Sequence, residues 1–340
     1  MLNVLITGIT GQNGMYLTKL LRENNYQIFG LVRPKTLQNP FKIEEFWENV
    51  GGQTEKIKLI GGDITDKESL YQAIKQSQPH EIYHLAGIHH RDLAHEMPEY
   101  TGNVTGLSTV RILEILRELG SNAKFIQAST ADIFEQGKGV SEQSRIQAQG
   151  PYGAAALYAY SMAKYYRECH QMFACNAICF EHESPLRGSN FIGRSVTRGL
   201  SRVMLSKQEL LHVGDLDDVY DWGYAEEYVK GMYEMSKKMV SDDYVLATGQ
   251  GHTLREFVEI ACSYFDIDIV WKKRGDKEYG YDKYTNQTYV EAENRKGGRV
   301  HTGDPSKAKR ILGWKPEKRF NELITQMCEA DFEREKKHNH

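Results

Sequence analysis

The glycines at positions 8, 11 and 14 constrain the fold of this chain more than any other feature of its 340 residues. They stand between a short apolar segment, residues 2–7, and an amphipathic stretch that starts near Met15. Between a strand and a helix, this spacing permits a tight turn, close approach of the backbone to a pyrophosphate, and close packing of helix on strand. The sequence therefore predicts a dinucleotide site at the N-terminus of the first helix, the alternative being an ordinary glycine-rich turn. The predicted contacts are Gly8, Thr10, Gly11, Gln12, Asn13 and Gly14.

Short apolar segments alternate with amphipathic segments through the first half of the chain. Strands are predicted at residues 2–7, 27–32, 58–61, 81–86, 124–128 and 176–180, and helices at residues 15–24, 67–76, 99–119 and 151–172. Such alternation implies right-handed crossovers and a parallel sheet with helices on both faces. The strands are apolar along their length, as expected for a sheet buried on both sides. We predict a doubly wound α/β domain of the Rossmann type.

Beyond residue 180 the alternation becomes irregular, which predicts a smaller C-terminal α/β lobe that binds the substrate. The predicted division gives residues 1–182 and roughly 212–250 to the Rossmann domain, 183–211 and 251–330 to the substrate lobe, and 331–340 to a tail. Within the second half, helices are predicted at residues 190–206, 253–265 and 307–312, and a strand at residues 244–247.

Three further expectations concern polar segments. Residues 271–301 are rich in Lys, Arg, Gly and Tyr without a clear period, which predicts a long surface loop near a ligand. Residues 334–340 are predicted to be disordered. The helix over residues 190–206 carries Arg194, Arg198 and Arg202, which we expect to face solvent, with Arg194 a candidate contact to a diphosphate.

Composition excludes several classes of function. The chain has 43 Lys and Arg against 46 Asp and Glu, a net charge of −3, so it has no basic field for nucleic acid. No apolar run approaches the roughly 20 residues of a membrane span, and the first residues form no basic leader. Five cysteines without a CxxC pair indicate reduced thiols. We expect a soluble cytoplasmic enzyme. No metal site is predicted, because His84, His89, His90 and His95 lack a regular ligand spacing.

The end of the second predicted strand indicates which dinucleotide binds. A carboxylate there would accept hydrogen bonds from a ribose 2′-hydroxyl, whereas Arg suits a 2′-phosphate. Arg33 and Lys35 follow this strand without a carboxylate, which favours NADP over NAD; the alternative is a pair of solvated cations. The third and fourth strands are followed by positions where such folds contact the adenine and the second ribose, here Asp63, Ile64, Leu85 and Ala86.

Longer segments carry a resemblance to a known family. They include GITGQNG at residues 8–14, KFIQASTADIF at 124–134, GPYGAA at 150–155, MFACNAICFEHESP at 172–185, DWGYAEEYV at 221–229 and GDPSKAK at 303–309. On these segments, which run from residue 2 to about 325, the chain resembles the extended short-chain dehydrogenase/reductases, and among them the GDP-mannose 4,6-dehydratase family. The resemblance implies that hydride passes from C4 of a GDP-sugar to NADP, water is eliminated across C5 and C6, and hydride returns to C6.

The same resemblance implies roles for individual residues. Tyr152 takes the proton of the C4 hydroxyl, Thr130 hydrogen-bonds the C4 oxygen, and Asp132, in place of the family's Glu, is base and acid at C5. Tyr152 and His182 are further cofactor contacts. The implied substrate contacts are His89, Glu181, Arg187, Arg194, Tyr220, Arg295 and Arg299. Members pair through two long helices, so a homodimer or homotetramer is expected.

One departure from the family concerns the tyrosine itself. The family's Tyr-x-x-x-Lys lysine, whose charge lowers the tyrosine pKa, is replaced by Ala156. Tyr160 and Lys164 repeat the pattern, but Lys164 lies about 18 Å along a helix from Tyr152. The positive charge of an oxidised nicotinamide is a partial substitute for the charge of the missing lysine.

Other departures fall around the sugar and the diphosphate. Glu181 replaces an Asn, Tyr220 replaces an Arg, and His89 and Arg91 alter the loop after the fourth strand. Arg295 or Arg299 offers an alternative grip on phosphate. Two alternatives to dehydration therefore remain open: a nucleotide-sugar epimerase or 4-ketoreductase, and a catalytically impaired homologue that only binds a nucleotide sugar. A carboxylate at position 132 beside Thr130 favours dehydration.

Overall fold

The computed structural model describes residues 1–293 and 298–337. Its strands are β1 (Asn3–Thr7), β2 (Gln27–Val32), β3 (Ile57–Gly61), β4 (Glu81–His84), β5 (Lys124–Thr130), β6 (Ala174–Cys179), β7 (His182–Glu183), β8 (Leu211–Asp215), β9 (Val219–Tyr220), β10 (Gly223–Tyr224), β11 (Tyr244–Leu246), β12 (His252–Thr253), β13 (Ile269–Arg274), β14 (Lys277–Asp282), β15 (Thr288–Glu293) and β16 (Val300–His301). Its helices are α1 (Gln12–Glu23), α2 (Pro34–Leu37), α3 (Pro40–Asn49), α4 (Lys67–Ser77), α5 (Arg91–Glu96), α6 (Pro98–Thr101), α7 (Ser108–Glu118), α8 (Gly150–His170), α9 (Ile192–Met204), α10 (Ala225–Ser236), α11 (Leu254–Tyr264), α12 (Ser306–Leu312) and α13 (Phe320–Lys337).

The largest sheet is parallel and has the strand order β11-β6-β5-β4-β1-β2-β3. The chain builds outward from β1 to β3, then returns to the other side of β1 and places β4, β5 and β6 there. Helices cover both faces, so the predicted doubly wound α/β fold is confirmed. The strand order reverses between β1 and β4, and in such sheets ligands bind at the carboxyl ends of the strands beside this reversal.

Two apolar layers hold the helices against this sheet. On one face, Leu17 of α1 and Met232 of α10 belong to the same buried cluster. On the other face, Ile112 of α7 and Ala163 of α8 cluster with Phe125 of β5. All five side chains are fully buried. A large apolar side chain buried in this way contributes about 1.5–3 kcal/mol relative to an exposed one, so these layers hold the carboxyl ends of the strands in place.

The helix predicted at residues 99–119 is interrupted. A π-helical segment, Gly102–Leu107, separates α6 from α7. Within it a Cβ on Gly106 would lie 3.2 Å from the carbonyl oxygen of Ala155, so the glycine lets this segment approach α8 closely. None of the helices in the described part of the chain combines the length and the apolarity needed to cross a membrane.

The prediction of a long surface loop at residues 271–301 is wrong for most of that range. β13, β14 and β15 form an antiparallel meander that β8 extends in parallel to β15. No apolar alternation marks β13 in the sequence, because none of its six residues is buried. Gly275 then turns the chain at a φ of +64°. β8 therefore pairs in this sheet and not in the largest one. The predicted domain boundaries stay a prediction.

The expectations for α9 and for the end of the chain are also corrected. Residues 334–337 belong to α13 instead of a disordered tail. The arginines of α9 do not face solvent alone: Arg194 Nε lies 2.9 Å from Asp331 Oδ1, and Arg198 and Arg202 pair with Glu335 at 2.6 and 3.2 Å. Asp331 and Glu335 are buried, so the two helices are joined by ion pairs shielded from water. No local sequence pattern in α9 or α13 predicts that these two helices pair.

Candidate active site

A cleft lies at the carboxyl ends of β1, β4, β5 and β6, where the strand order reverses. Its opposite side is formed by segments that follow residue 180. It brings together many of the residues singled out in the sequence, namely Asn13, Leu85, His89, Thr130, Asp132, Tyr152, Glu181, His182, Arg187, Tyr220 and Arg299. The sequence-based choice of residues therefore converges on one place.

The glycine turn at one end of the cleft is shaped by close backbone contacts. Gly8 adopts a φ of +72°, and a Cβ there would lie 2.9 Å from the backbone nitrogen of Ala86. A Cβ on Gly14 would overlap the carbonyl oxygen of Gly8. No side chain caps α1 at Gly11, so the first N–H groups of the helix, from Gln12 onward, are available to an anion.

A short hydrogen-bonded network joins this turn to the segment after β6. Gln12 Nε2 donates to the carbonyl of His182 at 3.1 Å and its Oε1 accepts from the Ser184 hydroxyl at 2.6 Å. His182 Nδ1 donates to the carbonyl of Phe180 at 2.8 Å, so its Nε2 accepts from Asn13 Nδ2 at 2.9 Å. Burial lowers the pKa of His182 to about 3, and the ring is therefore neutral. These contacts hold the turn against the cleft.

The other predicted cofactor residues occupy the same edge of the sheet. Arg33 is exposed directly after β2, at the N-cap of α2. Asp63, after β3, accepts hydrogen bonds from the backbone N–H and hydroxyl of Thr65 at 2.8 and 2.7 Å, which shapes the turn that contains Ile64. Thr10 lines a depression that adjoins the glycine turn.

Thr130, Asp132 and Tyr152 meet at the end of β5. Thr130 is its last residue, and Asp132 lies in the 3-10 turn Ala131–Ile133 that follows. The backbone N–H of Gln149 donates to the carbonyl of Asp132 at 3.1 Å, which returns the chain to this point before α8 begins. Tyr152 is therefore held in the first turn of α8, close to the other two residues.

Arg91, which the sequence analysis noted only as a change in a loop, is part of this site. Its Nε and Nη2 donate to the two carboxylate oxygens of Asp132 at 3.1 and 2.7 Å. Asp132 is buried, and its bidentate contact with Arg91 fixes the orientation of the carboxylate. Glu181 lies 4.0 Å from the same guanidinium. Arg91 was missed because its partner is 41 residues away in the chain.

A second arginine organises the segment after β6. Arg187 lies 3.6 Å from Glu181 and 3.8 Å from Glu183, and its guanidinium stacks on the ring of Phe191 at 3.7 Å. Glu183 is fully buried. Burial raises the pKa of Glu183 to about 7, although Arg187 opposes the rise. A buried carboxyl group whose charge changes near neutral pH thus lies behind this wall of the cleft.

Within residues 1–293 and 298–337, no lysine lines the cleft around Tyr152. Ala156 is buried among apolar side chains, including those of Ile178 and Phe180. Lys164 lies on the exposed side of α8 and pairs with Glu168 at 3.8 Å. Burial raises the pKa of the Tyr152 phenol, Asp132 and Glu181 raise it further, and the Thr130 hydroxyl and Arg187 lower it. In the free protein Tyr152 is therefore a neutral phenol.

The remaining predicted substrate residues divide between two places. Tyr220 and Arg299 line the cleft side by side, because Asp218 accepts hydrogen bonds from the Tyr220 hydroxyl and the Arg299 backbone. Arg194 instead lines the depression near Thr10, where it donates to the carbonyl of Arg187. Arg295 lies outside the described residues.

Several lining residues have no signal in the sequence. His301 Nε2 donates to the carbonyl of Ala131 at 3.2 Å, and its ring lies 4.9 Å from that of Phe180. His84, which precedes the cleft, is instead a buried structural residue between the hydroxyls of Thr7 and Ser108. In the part of the chain that the structure describes, three metal-ligating side chains nowhere lie together.

The family model of GDP-mannose 4,6 dehydratase matches residues 5–327. The chain belongs to the GDP-mannose 4,6-dehydratase family. The GDP-mannose 4,6 dehydratase of Drosophila melanogaster is 39% identical over 344 residues, which cover 97% of this chain and 86% of that protein. The human GDP-mannose 4,6 dehydratase is 37% identical over 338 residues, with 97% and 91% covered. The predicted family membership is confirmed.

A solved structure shares the fold at much lower identity. The UDP-glucose 4-epimerase of Thermotoga maritima, determined with UDP-glucose, aligns with a TM-score of 0.79 over 98% of this chain and 99% of that chain. Its sequence is 18% identical, so the likeness concerns the fold. It agrees with the predicted extended short-chain dehydrogenase/reductase architecture.

Proposed function

We propose that this chain is an NADP-dependent nucleotide-sugar 4,6-dehydratase that converts GDP-mannose, or a related GDP-sugar, to a 4-keto-6-deoxy sugar. The observation that carries the proposal is the meeting of Thr130, Asp132 and Tyr152 at the end of β5, in a cleft that begins at the glycine turn. The names of the relatives from Drosophila melanogaster and human support the same reaction.

The residues at the end of β5 divide the proton transfers between them. The Thr130 hydroxyl orients the C4 oxygen of the sugar, and the Tyr152 oxygen receives its proton. The Asp132 carboxylate removes the proton at C5 and delivers it to the hydroxyl that leaves C6 as water. Arg91 donates hydrogen bonds to both Asp132 oxygens, so it fixes the orientation of this carboxylate in the cleft.

The cofactor proposal rests on orphaned polar groups and on charge. Within residues 1–293 and 298–337, the buried Asn13 Oδ1 and Ser129 Oγ have no hydrogen-bond partner, and both residues line the cleft. The uncapped start of α1 suits the pyrophosphate, and Arg33 suits a 2′-phosphate. When bound, the oxidised nicotinamide supplies the hydride acceptor for C4 and afterwards the hydride donor for C6.

A second candidate function has a specific observation in its favour. Arg91 already occupies both oxygens of Asp132, so removal of the C5 proton requires this contact to loosen. An epimerase or 4-ketoreductase needs only the chemistry at C4, which Thr130 and Tyr152 supply. The absence of a lysine at Ala156 favours the third possibility, a homologue that binds nucleotide sugars without turnover.

Mass spectrometry of the reaction products distinguishes these functions. The purified chain is incubated with NADP and with GDP-mannose or related GDP-sugars. Loss of one water from the sugar is expected; a new isomer of unchanged mass indicates an epimerase, and binding without turnover indicates the third possibility. Asp132→Asn is expected to lower water loss by about 100-fold or more, as for loss of a general base, while chemistry at C4 persists.

The organisation of the protein is proposed on the same basis. We assign residues 1–182 and roughly 212–250 to NADP and residues 183–211 and 251–330 to the GDP-sugar, in a cytoplasmic homodimer or homotetramer. Exposed aromatic residues on α8, Tyr158 and Tyr165, support pairing through this helix. Light scattering during size-exclusion chromatography tests the assembly.

A further inference from the structure

His89 approaches Tyr152 from the loop between β4 and α5. Its Nδ1 lies 3.2 Å from the Tyr152 hydroxyl oxygen, and its Nε2 lies 3.3 Å from the carbonyl oxygen of Leu85. A carbonyl oxygen only accepts, so Nε2 carries a hydrogen. In a neutral imidazole Nδ1 then has a free lone pair, and the Tyr152 hydroxyl donates its hydrogen to it.

The surroundings keep this imidazole neutral and in place. Burial within the cleft lowers the pKa of His89, the Leu85 carbonyl raises it and Arg187 lowers it again. The ring meets that of Tyr152 edge to face, with centroids 5.8 Å apart. A Cβ on Gly87 would lie 3.0 Å from His89 Cε1, so the glycine makes room for the ring to fold back over the strand end.

We propose that His89 receives the Tyr152 proton during oxidation at C4. It thereby takes over the role of the family's lysine, whose position is occupied by Ala156 in this chain. The inference rests on the proposed function. The O–H bond of the C4 hydroxyl breaks and its proton moves to the Tyr152 oxygen, while the Tyr152 proton moves to His89 Nδ1. The pair of electrons in the C4–H bond leaves as hydride to the oxidised nicotinamide, and C4 becomes a ketone. After water has left and hydride has reached C6, the proton held by His89 returns to the Tyr152 oxygen as C5 takes up a proton, so the C4 hydroxyl proton and the new C5 proton balance.

The burial and the charges around this pair oppose a lone phenolate on Tyr152 and a lone imidazolium on His89. Asp132 and Glu181 oppose a bare phenolate, whereas a shift of the proton to His89 leaves a phenolate beside an imidazolium. Among the described residues, Arg187 acts on His89, and Arg91 is engaged by Asp132. His84 and His182 stay neutral, because burial lowers the pKa of each to about 3. His89 reaches the substrate only through Tyr152, so it is a positioning residue.

The first test is independent of turnover. Nitrogen-15 NMR of the histidine rings in the free protein is expected to show His89 as the Nε2–H tautomer. Its Nδ1 resonance should move in Tyr152→Phe, which removes the donor. An Nδ1–H tautomer, or an Nδ1 resonance whose chemical shift is the same in Tyr152→Phe, overturns the proposal. This result can be obtained even if the chain has no activity on any GDP-sugar.

The second test uses rescue by the family's lysine. His89→Ala is expected to lower kcat at neutral pH by about 100-fold and to make the rate rise with pH into the alkaline range. Ala156→Lys in the His89→Ala background should restore most of the rate, whereas a merely structural His89 would not be replaced by that lysine. His80→Ala, at the opposite edge of the sheet, serves as the histidine control. An unchanged pH profile in His89→Ala, or no rescue in the folded double variant, contradicts the proposal. If wild type only isomerises sugars, the dehydratase proposal fails while this one stands.

Discussion

The two walls of the cleft are built by different means. The wall at the glycine turn is shaped by backbone contacts too close for any Cβ, as at Gly8 and Gly14. The wall that faces the sugar is shaped by charged side chains, with Arg91 on Asp132 and Arg187 between two glutamates. The wall at the glycine turn requires glycine, because any side chain would block its backbone contacts. The wall that faces the sugar depends on ion pairs, which several combinations of charged residues can form. Of the departures from the family named above, His89, Arg91, Glu181 and Tyr220 line the cleft, whereas Ala156 is buried among apolar side chains.

The largest expected effect breaks the backbone wall. A Cβ on Gly14 would overlap the carbonyl oxygens of Gly8 and Ile9, so Gly14→Ala forces α1 away from the turn. We expect a loss of about 3 kcal/mol or more in the free energy of unfolding, and no measurable NADP binding. Urea denaturation measures the free energy of unfolding, and fluorescence titration measures the binding of NADP. Gly137→Ala is the control, because open space surrounds the added Cβ, and it should change the free energy of unfolding by less than about 0.5 kcal/mol. Equal losses of stability in the two variants would contradict the idea that close backbone contacts shape the glycine turn.

A pH titration addresses the charged wall. Burial raises the pKa of Glu183 from an ordinary 4.5 to about 7, so the folded state holds its proton over a range where the unfolded state does not. Stability is full below pH 4.5 and falls as pH rises through 7. The free energy of unfolding falls by up to about 3 kcal/mol over this range, at roughly 1.4 kcal/mol per pKa unit.

The matched comparison for that titration is Glu183→Gln, which cannot ionise. The difference in unfolding free energy between wild type and this variant should shift in favour of the variant from pH 4.5 to pH 7. Glu44→Gln, at an exposed position of α3, is the control variant. A flat difference for Glu183→Gln shows that the carboxyl is charged throughout.

The smallest expected effect sharpens the comparison on the cofactor side. Arg33→Ala removes the cation proposed to bind a 2′-phosphate while leaving the glycine turn intact. We expect the preference for NADP over NAD to fall about tenfold, which is roughly 1.4 kcal/mol. Isothermal titration with both dinucleotides measures it, and Arg145→Ala, an exposed arginine paired with Glu135, is the control. An unchanged preference in Arg33→Ala would assign the 2′-phosphate to other residues.

Several features were within reach of the sequence because they depend on neighbouring residues. The glycine turn, the buried parallel strands and the helix that starts before Tyr152 follow from period, spacing and local steric limits. The convergence of Thr130, Asp132 and Tyr152 follows from topology, since strand ends of a parallel sheet meet at one edge.

Other features depend on pairs far apart in the chain. The polar meander at β13–β15 has too little apolar periodicity for a sheet to be predicted, and its order comes from pairing with β8. The ion pairs of α9 join residues more than a hundred positions apart. Arg91 and His89 were visible as departures, but only their contacts with Asp132 and Tyr152 assign them a place in the site.

The amino-acid order alone thus determined the family, the doubly wound sheet and the edge at which a ligand binds, since hydrophobic period and glycine sterics act over a few residues. Only the folded chain decided which charges meet across the cleft and what stands beside Tyr152. Electrostatic and hydrogen-bond partners are selected by distance in space, and a local pattern carries no record of that distance.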